Sequence, residues 1–102
     1  MSGYKLIALY KKPADTAAFD AHYRNVHLPL VMKIPGLQKA VLNHGFAPPW
    51  SGESAYYLIA EMHFADEASF KSGMMSAENR AAGKDLRTFA GDLVTLVTVK
   101  EM

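Results

Sequence analysis

The chain contains no cysteine. Disulfides, zinc–thiolate sites, iron–sulfur clusters and cysteine nucleophiles are therefore excluded. It also lacks an excess of either charge: 11 basic and 10 acidic residues leave a formal net charge of +1 over 102 residues. No electrostatic footprint for DNA or RNA is visible, and no block of like charges suits a membrane surface. Long apolar runs are missing as well. The opening MSGYKLIALYKK holds only Leu6 to Tyr10, too short for a signal-peptide core or a membrane span, so a cytoplasmic location is expected. There is no GxGxxG, no phosphate-binding loop and no GxSxG. No repeat, low-complexity tract or linker divides the chain, and its length fits one domain over residues 1–102.

What is present is apolar and ordered in period. Half of the residues are hydrophobic, enough for a real core. Tyr4 to Lys11 is rich in strand formers and stops before Pro13, which predicts a first strand. Asp15 or Thr16 is placed to cap a helix, and Phe19, Tyr23, Val26 and Leu30 recur at spacings of one helical face. Pro29 predicts an end to that helix near His27, with a short turn restarting at Pro29. Leu37 to Phe46 and Ala55 to Phe64 read as strands on either side of a loop holding Pro48, Pro49, Trp50 and Gly52. Asp66 and Ser76 are N-caps of two further helical stretches, the second with Ala82, Leu86 and Phe89 as its apolar face. Leu93 to Lys100 is the last strand. The order β-α-β-β-α-β predicts an α+β, ferredoxin-like sandwich with helices on one face of the sheet.

The strand patterns speak about the other face. In the third strand Tyr56, Leu58, Ala60, Met62 and Phe64 share one apolar side, predicted to meet the helices. Tyr57, Ile59, Glu61 and His63 share the opposite side. The first and last strands are apolar on both sides, which would leave a greasy sheet face in water. Packing two such sheets across a two-fold axis would bury it, giving a homodimeric α/β barrel with Tyr57, Glu61 and His63 pointing between the sheets.

The stretch FDAHYRNVHLPLVMKIPGLQKA, Phe19 to Ala40, resembles the EthD family of dimeric α/β-barrel proteins through its H-x-P-L and K-x-P-G-L patterns. AENRAAGKDLRTFAGD, Ala77 to Asp92, is similar to that family too. The resemblance implies a homodimer formed through the sheets and a small hydrophobic molecule held without an obligatory cofactor. EthD is associated with bacterial degradation of ethyl tert-butyl ether beside a cytochrome P450 system. Fungal relatives resemble dehydratases of polyketide anthrones, and more distant cousins include cyclases, cofactor-free monooxygenases and muconolactone isomerases. This is analogy at the level of fold.

His27 occupies the family's H-x-P-L position at the expected helix end. A helix C-terminus favours the imidazolium and burial opposes it, a balance that suits a general acid or base. The alternative is a histidine that bonds free carbonyls at the Pro29 kink. Tyr23, one turn earlier, either orients the imidazole, binds a substrate oxygen, or belongs to the core stripe. Glu61 and His63 could shuttle a proton, form a solvated rim, or link two subunits. Tyr10 and Tyr57 line the same space or pack, and Trp50 covers a cavity mouth or stands alone at the surface. His22 and His44 are expected at the surface, and His22 and His27, five apart, make a poor same-face pair, so no metal site is expected.

Three functions follow. One is a cofactor-independent enzyme of dehydratase, cyclase, isomerase or monooxygenase type on a small hydrophobic or aromatic compound, with His27 moving the proton. Another is a non-catalytic carrier of such a compound, auxiliary to an oxidase pathway that degrades ethers or xenobiotics. The third is a subunit that acts through protein contacts and has a filled interior.

Overall fold

The computed structural model describes residues 3–102. Four strands form one antiparallel sheet: β1 (Tyr4–Tyr10), β2 (Leu37–His44), β3 (Leu58–Phe64) and β4 (Val94–Lys100), in the order β2-β3-β1-β4. Helix α1 (Thr16–His22) follows β1 and runs through a π-helical turn (Tyr23–His27) into α2 (Leu28–Val31). After β3 come α3 (Glu67–Met74) and α4 (Ala77–Ala90). This is the ferredoxin-like α+β sandwich. No helix among the described residues is long and apolar enough to cross a membrane.

The helix starts are set by short polar side chains. Asp15 Oδ1 accepts from the Ala18 N–H at 3.0 Å, Asp66 Oδ1 from Ser69 at 2.8 Å, and Ser76 Oγ from Asn79 at 3.1 Å. Each satisfies a donor that the first turn of a helix leaves without a partner.

The first helical stretch departs from expectation. It does not end near His27: the backbone stays helical through His27 and Leu28, and the Leu28 N–H bonds the Tyr23 carbonyl, five residues back. Pro29 follows directly on the π turn, inside a continuous helical run, and cannot donate to the carbonyl a turn earlier. The wider π turn also shifts the buried face by one residue. Phe19, Tyr23, His27, Val31 and Ile34 point inward, whereas Val26 is 42% exposed. One inserted step thereby carries His27 into the core.

In the sheet, Ala8, Tyr10, Leu58, Ala60, Met62 and Phe64 face the helices and are buried. The opposite face holds Ile7 and Leu9 of β1, Ile59, Glu61 and His63 of β3, Val41 of β2, and Val97 and Val99 of β4, as the cross-strand register requires. None of the described helices covers this face. Strand β3 begins at Leu58, not Ala55, and Tyr57 does not follow the expected alternation. Its hydroxyl donates to the Asp20 carboxylate of α1 at 2.9 Å, and its ring meets Phe19 edge-on at 5.9 Å. Tyr57 is therefore tied to the helical layer and does not join Glu61 and His63.

Candidate functional site

The helical layer does not close on the sheet. Between α4, the π turn and the β1–β4 pair lies a cleft of about 570 Å³. Its floor and walls are apolar, including Ala8, Val31, Ile34, Met62, Leu86 and Leu96. Leu96 is 51% exposed although it points to the helix side, because the cleft removes its cover. This volume falls within the ~300–1,000 Å³ typical of small-molecule sites. The space therefore lies within a single chain, on the face of the sheet opposite to the one expected from the strand pattern.

His27 lines this cleft and is only 4% exposed. Its Nδ1 lies 3.0 Å from Oδ2 of Asp85, in the middle of α4. A carboxylate can only accept, so Nδ1 carries the proton and donates. Nε2 then keeps its lone pair. It makes no hydrogen bond among the described residues, and no buried polar side-chain atom there is sealed off without a partner, so Nε2 opens on the cleft. Burial holds the imidazole below the ordinary histidine range, against the opposing pull of Asp85. His27 is thus neutral at neutral pH, with the carboxylate fixing its tautomer and its orientation.

Asp85 serves a second histidine. His22 Nε2 lies 2.9 Å from Oδ1 of the same carboxylate. His22, expected at the surface, keeps part of its side chain exposed but also spans from α1 to α4. The Phe89 ring fills the angle between the two imidazoles, with centroids 4.4 Å from His22 and 5.0 Å from His27. Neither Asp85 nor His22 was expected at the site. The available signal for Asp85 was a carboxylate on the apolar stripe of an amphipathic helix, three residues after Ala82 and four before Phe89.

Tyr23 and Tyr10 sit behind His27. The Tyr23 ring is 5.2 Å from the His27 ring, and Tyr10 meets Tyr23 edge-on at 5.7 Å. Burial pushes the Tyr23 phenol up to about 12 and raises that of Tyr10 as well. Both stay protonated and can donate hydrogen bonds, but neither acts as a base near neutral pH. Tyr10 also lines the cleft.

The remaining expected residues are elsewhere. Glu61 and His63 pair on the open sheet face, Oε1 to Nε2 at 3.0 Å, and Asn43 donates to Glu61 Oε2 at 2.9 Å. Trp50 is 86% exposed on its loop and does not line the cleft. Among the described residues, no group of three or more His, Asp or Glu side chains is placed to hold a metal ion.

Comparison with known proteins shows what the chain is similar to. A family model described as the EthD domain matches residues 11–92. A crystal structure of an ethyl tert-butyl ether D (EthD) family protein from Bacillus halodurans is 46% identical, covers 98% of this chain and 99% of its own, and superposes with a TM-score of 0.91. An uncharacterized 11.0 kDa protein of the thcB-thcC intergenic region of Rhodococcus erythropolis is 34% identical over 98 residues, which are 96% of this chain and 94% of that one. A dimeric protein of unknown function and ferredoxin-like fold from Bacteroides fragilis shares the fold at 20% identity and TM-score 0.62, over 98% of this chain and 96% of its own.

Proposed function

This chain belongs to the EthD family, and from that premise we propose that it is a proton-transfer enzyme acting on a small hydrophobic or aromatic compound, with His27 as the acid/base. The observation that carries the reading is a neutral imidazole, oriented by Asp85, whose free Nε2 meets an apolar cleft of ligand size. In such a step Nε2 takes a proton from an activated C–H or O–H, and the bonding electron pair stays on the substrate as an enolate or alkoxide. The imidazolium that forms is stabilised by the Asp85 carboxylate at Nδ1. The same proton is then returned at another atom of the substrate. That sequence serves a dehydratase, cyclase or isomerase, and its first half serves a cofactor-independent monooxygenase.

The reading includes a homodimer through the uncovered sheet faces. Ile7, Leu9, Val41, Ile59, Val97 and Val99 bring apolar side chains to that face, and such faces mark association sites. The Bacteroides fragilis protein of the same fold is described as dimeric. Glu61 and His63 then belong to the interface, and the cleft stays separate in each subunit.

Anthrone tests the chemistry, because its C10–H is acidic and its rings suit an apolar cleft. In D2O the wild-type protein is expected to accelerate exchange at C10 over buffer, and His27→Gln is expected to lose that acceleration while still binding. Saturable binding of anthrone with no exchange in either protein would instead favour a carrier, of the kind that serves an ether- or xenobiotic-degrading oxidase.

A further inference from the structure

The charged lining of the cleft is one-sided. Arg80 and Arg87 line it, and no acidic residue does. The chain as a whole is nearly neutral, so this asymmetry is not a by-product of bulk charge. Neither arginine has a carboxylate partner among the described residues. Arg80 is anchored by a hydrogen bond from Nη1 to the Met75 carbonyl at 3.1 Å. Arg87 makes no hydrogen bond from its side chain among the described residues.

Gly83 explains where the Arg87 guanidinium goes. Helical side chains lean toward the N-terminus of their helix, so a long residue covers the turn before it. The turn before Arg87 is occupied by Gly83. A Cβ built on Gly83 would have Arg87 Nη1 as its nearest neighbour outside the helix backbone, at 3.6 Å. The guanidinium thus lies over the gap that the missing side chain leaves, at the edge of the cleft. Two arginines flank an apolar cleft across a glycine, with a base deeper inside.

We infer that the cleft selects amphipathic anions: an apolar or aromatic body against Leu6, Met62 and Leu86, and a carboxylate or phenolate at the rim on Arg87, with Arg80 bounding the other side. Arginine suits this role because its planar donors match a carboxylate in two parallel bonds. The anchored anion also fixes which atom of the ligand reaches His27. The inference rests on the cleft being the ligand site and names the class of ligand it takes.

The test uses 1-naphthoate and its neutral isostere 1-naphthamide, titrated calorimetrically into the wild-type protein, Arg87→Gln, Arg80→Gln and His27→Gln. Wild type is expected to bind the acid about tenfold more tightly than the amide at low salt, with the gap shrinking as ionic strength rises. Arg87→Gln is expected to erase the preference while leaving the amide affinity unchanged, and Arg80→Gln to reduce it partly. His27→Gln is expected to keep it, since the anion sits at the rim. Equal affinity of acid and amide in the wild type, or an undiminished preference in Arg87→Gln, would overturn the anion assignment alone. Failure of both probes to bind the wild type would overturn the cleft as the ligand site as well.

Discussion

Asp85 Oδ2 meets His27 Nδ1 at 3.0 Å while its other oxygen holds His22 at 2.9 Å, so one carboxylate on α4 clamps both ends of the π turn. The pair links residues 58 positions apart and decides which nitrogen of His27 is free. An amide cannot reproduce this, because it offers one acceptor and one donor where two acceptors are needed. If the amide group turns its NH2 toward His27, the imidazole adopts the other tautomer and Nε2 carries a proton it should be taking. Asp85→Asn is therefore expected to lower the anthrone exchange rate by about 10²–10⁴-fold with little change in anthrone affinity. A 15N spectrum should show the tautomer change at His27. Unchanged turnover with a switched tautomer would remove the base from His27.

The same burial makes stability depend on pH with a definite sign. The His27 pKa is lowered in the folded state relative to the unfolded chain, so below the unfolded value, about 6.5, the unfolded state binds the extra proton. Stability is then full above about pH 6.5 and falls on acidification from there toward the folded pKa, by at most about 1.4 kcal/mol per pH unit for one group. Urea midpoints measured between pH 7.5 and 5 should show that decline in the wild type, and His27→Gln should flatten it. Catalysis by the neutral imidazole carries the same sign, present at neutral pH and lost as His27 protonates. A wild-type midpoint that rises on acidification over that range would contradict the buried neutral histidine.

Phe89 joins packing to positioning. Its ring touches Phe19 at 5.5 Å and meets both imidazoles, and among the described residues no other ring meets both. Phe89→Ala is expected to cost about 3 kcal/mol in urea unfolding, at the lower end for an aromatic deletion because the ring is only half-buried. Phe89→Leu is expected to recover much of that stability, since it restores volume, but not the exchange rate, since a branched aliphatic side chain leaves the imidazole planes unsupported. Full activity in a stable Phe89→Leu protein would show that the ring only packs.

Much of the fold could be read from local pattern. The alternation Leu58, Ala60, Met62, Phe64 and the caps Asp66 and Ser76 each act within a few residues, and all appear as expected. The site was less legible for two physical reasons. The π turn differs from an α turn only in which carbonyl accepts, and a four-residue spacing from Phe19 to Tyr23 to His27 to Val31 is compatible with both. On α-helical geometry His22 and His27 are poor neighbours. On a π turn, where bonds close five residues back, both face one carboxylate. Asp85 reaches them across the whole central part of the chain, and no local spacing encodes that contact. Tyr57 failed differently: its hydrogen bond to Asp20 outweighs the strand alternation just before β3 begins.

The proposed dimer makes the last prediction, and it is independent of the cleft. Val97 lies midway along the edge strand β4 on the uncovered face, paired with Ile7 of β1, and is 38% exposed. A charge placed there must be desolvated if two sheets pack, which costs several kcal/mol without a partner. Val97→Lys is therefore expected to shift sedimentation equilibrium from twice the subunit mass to one. The helix-facing core is untouched by the change, so far-UV circular dichroism and anthrone binding should persist in the monomer. Leu96→Lys is the matched control: it is the neighbouring residue on the other side of the strand, so it should perturb the cleft and leave the dimer intact. If Val97→Lys stayed dimeric while Leu96→Lys dissociated, the subunits would meet through the β4 edge and helical layer instead, and the cleft would belong to the interface.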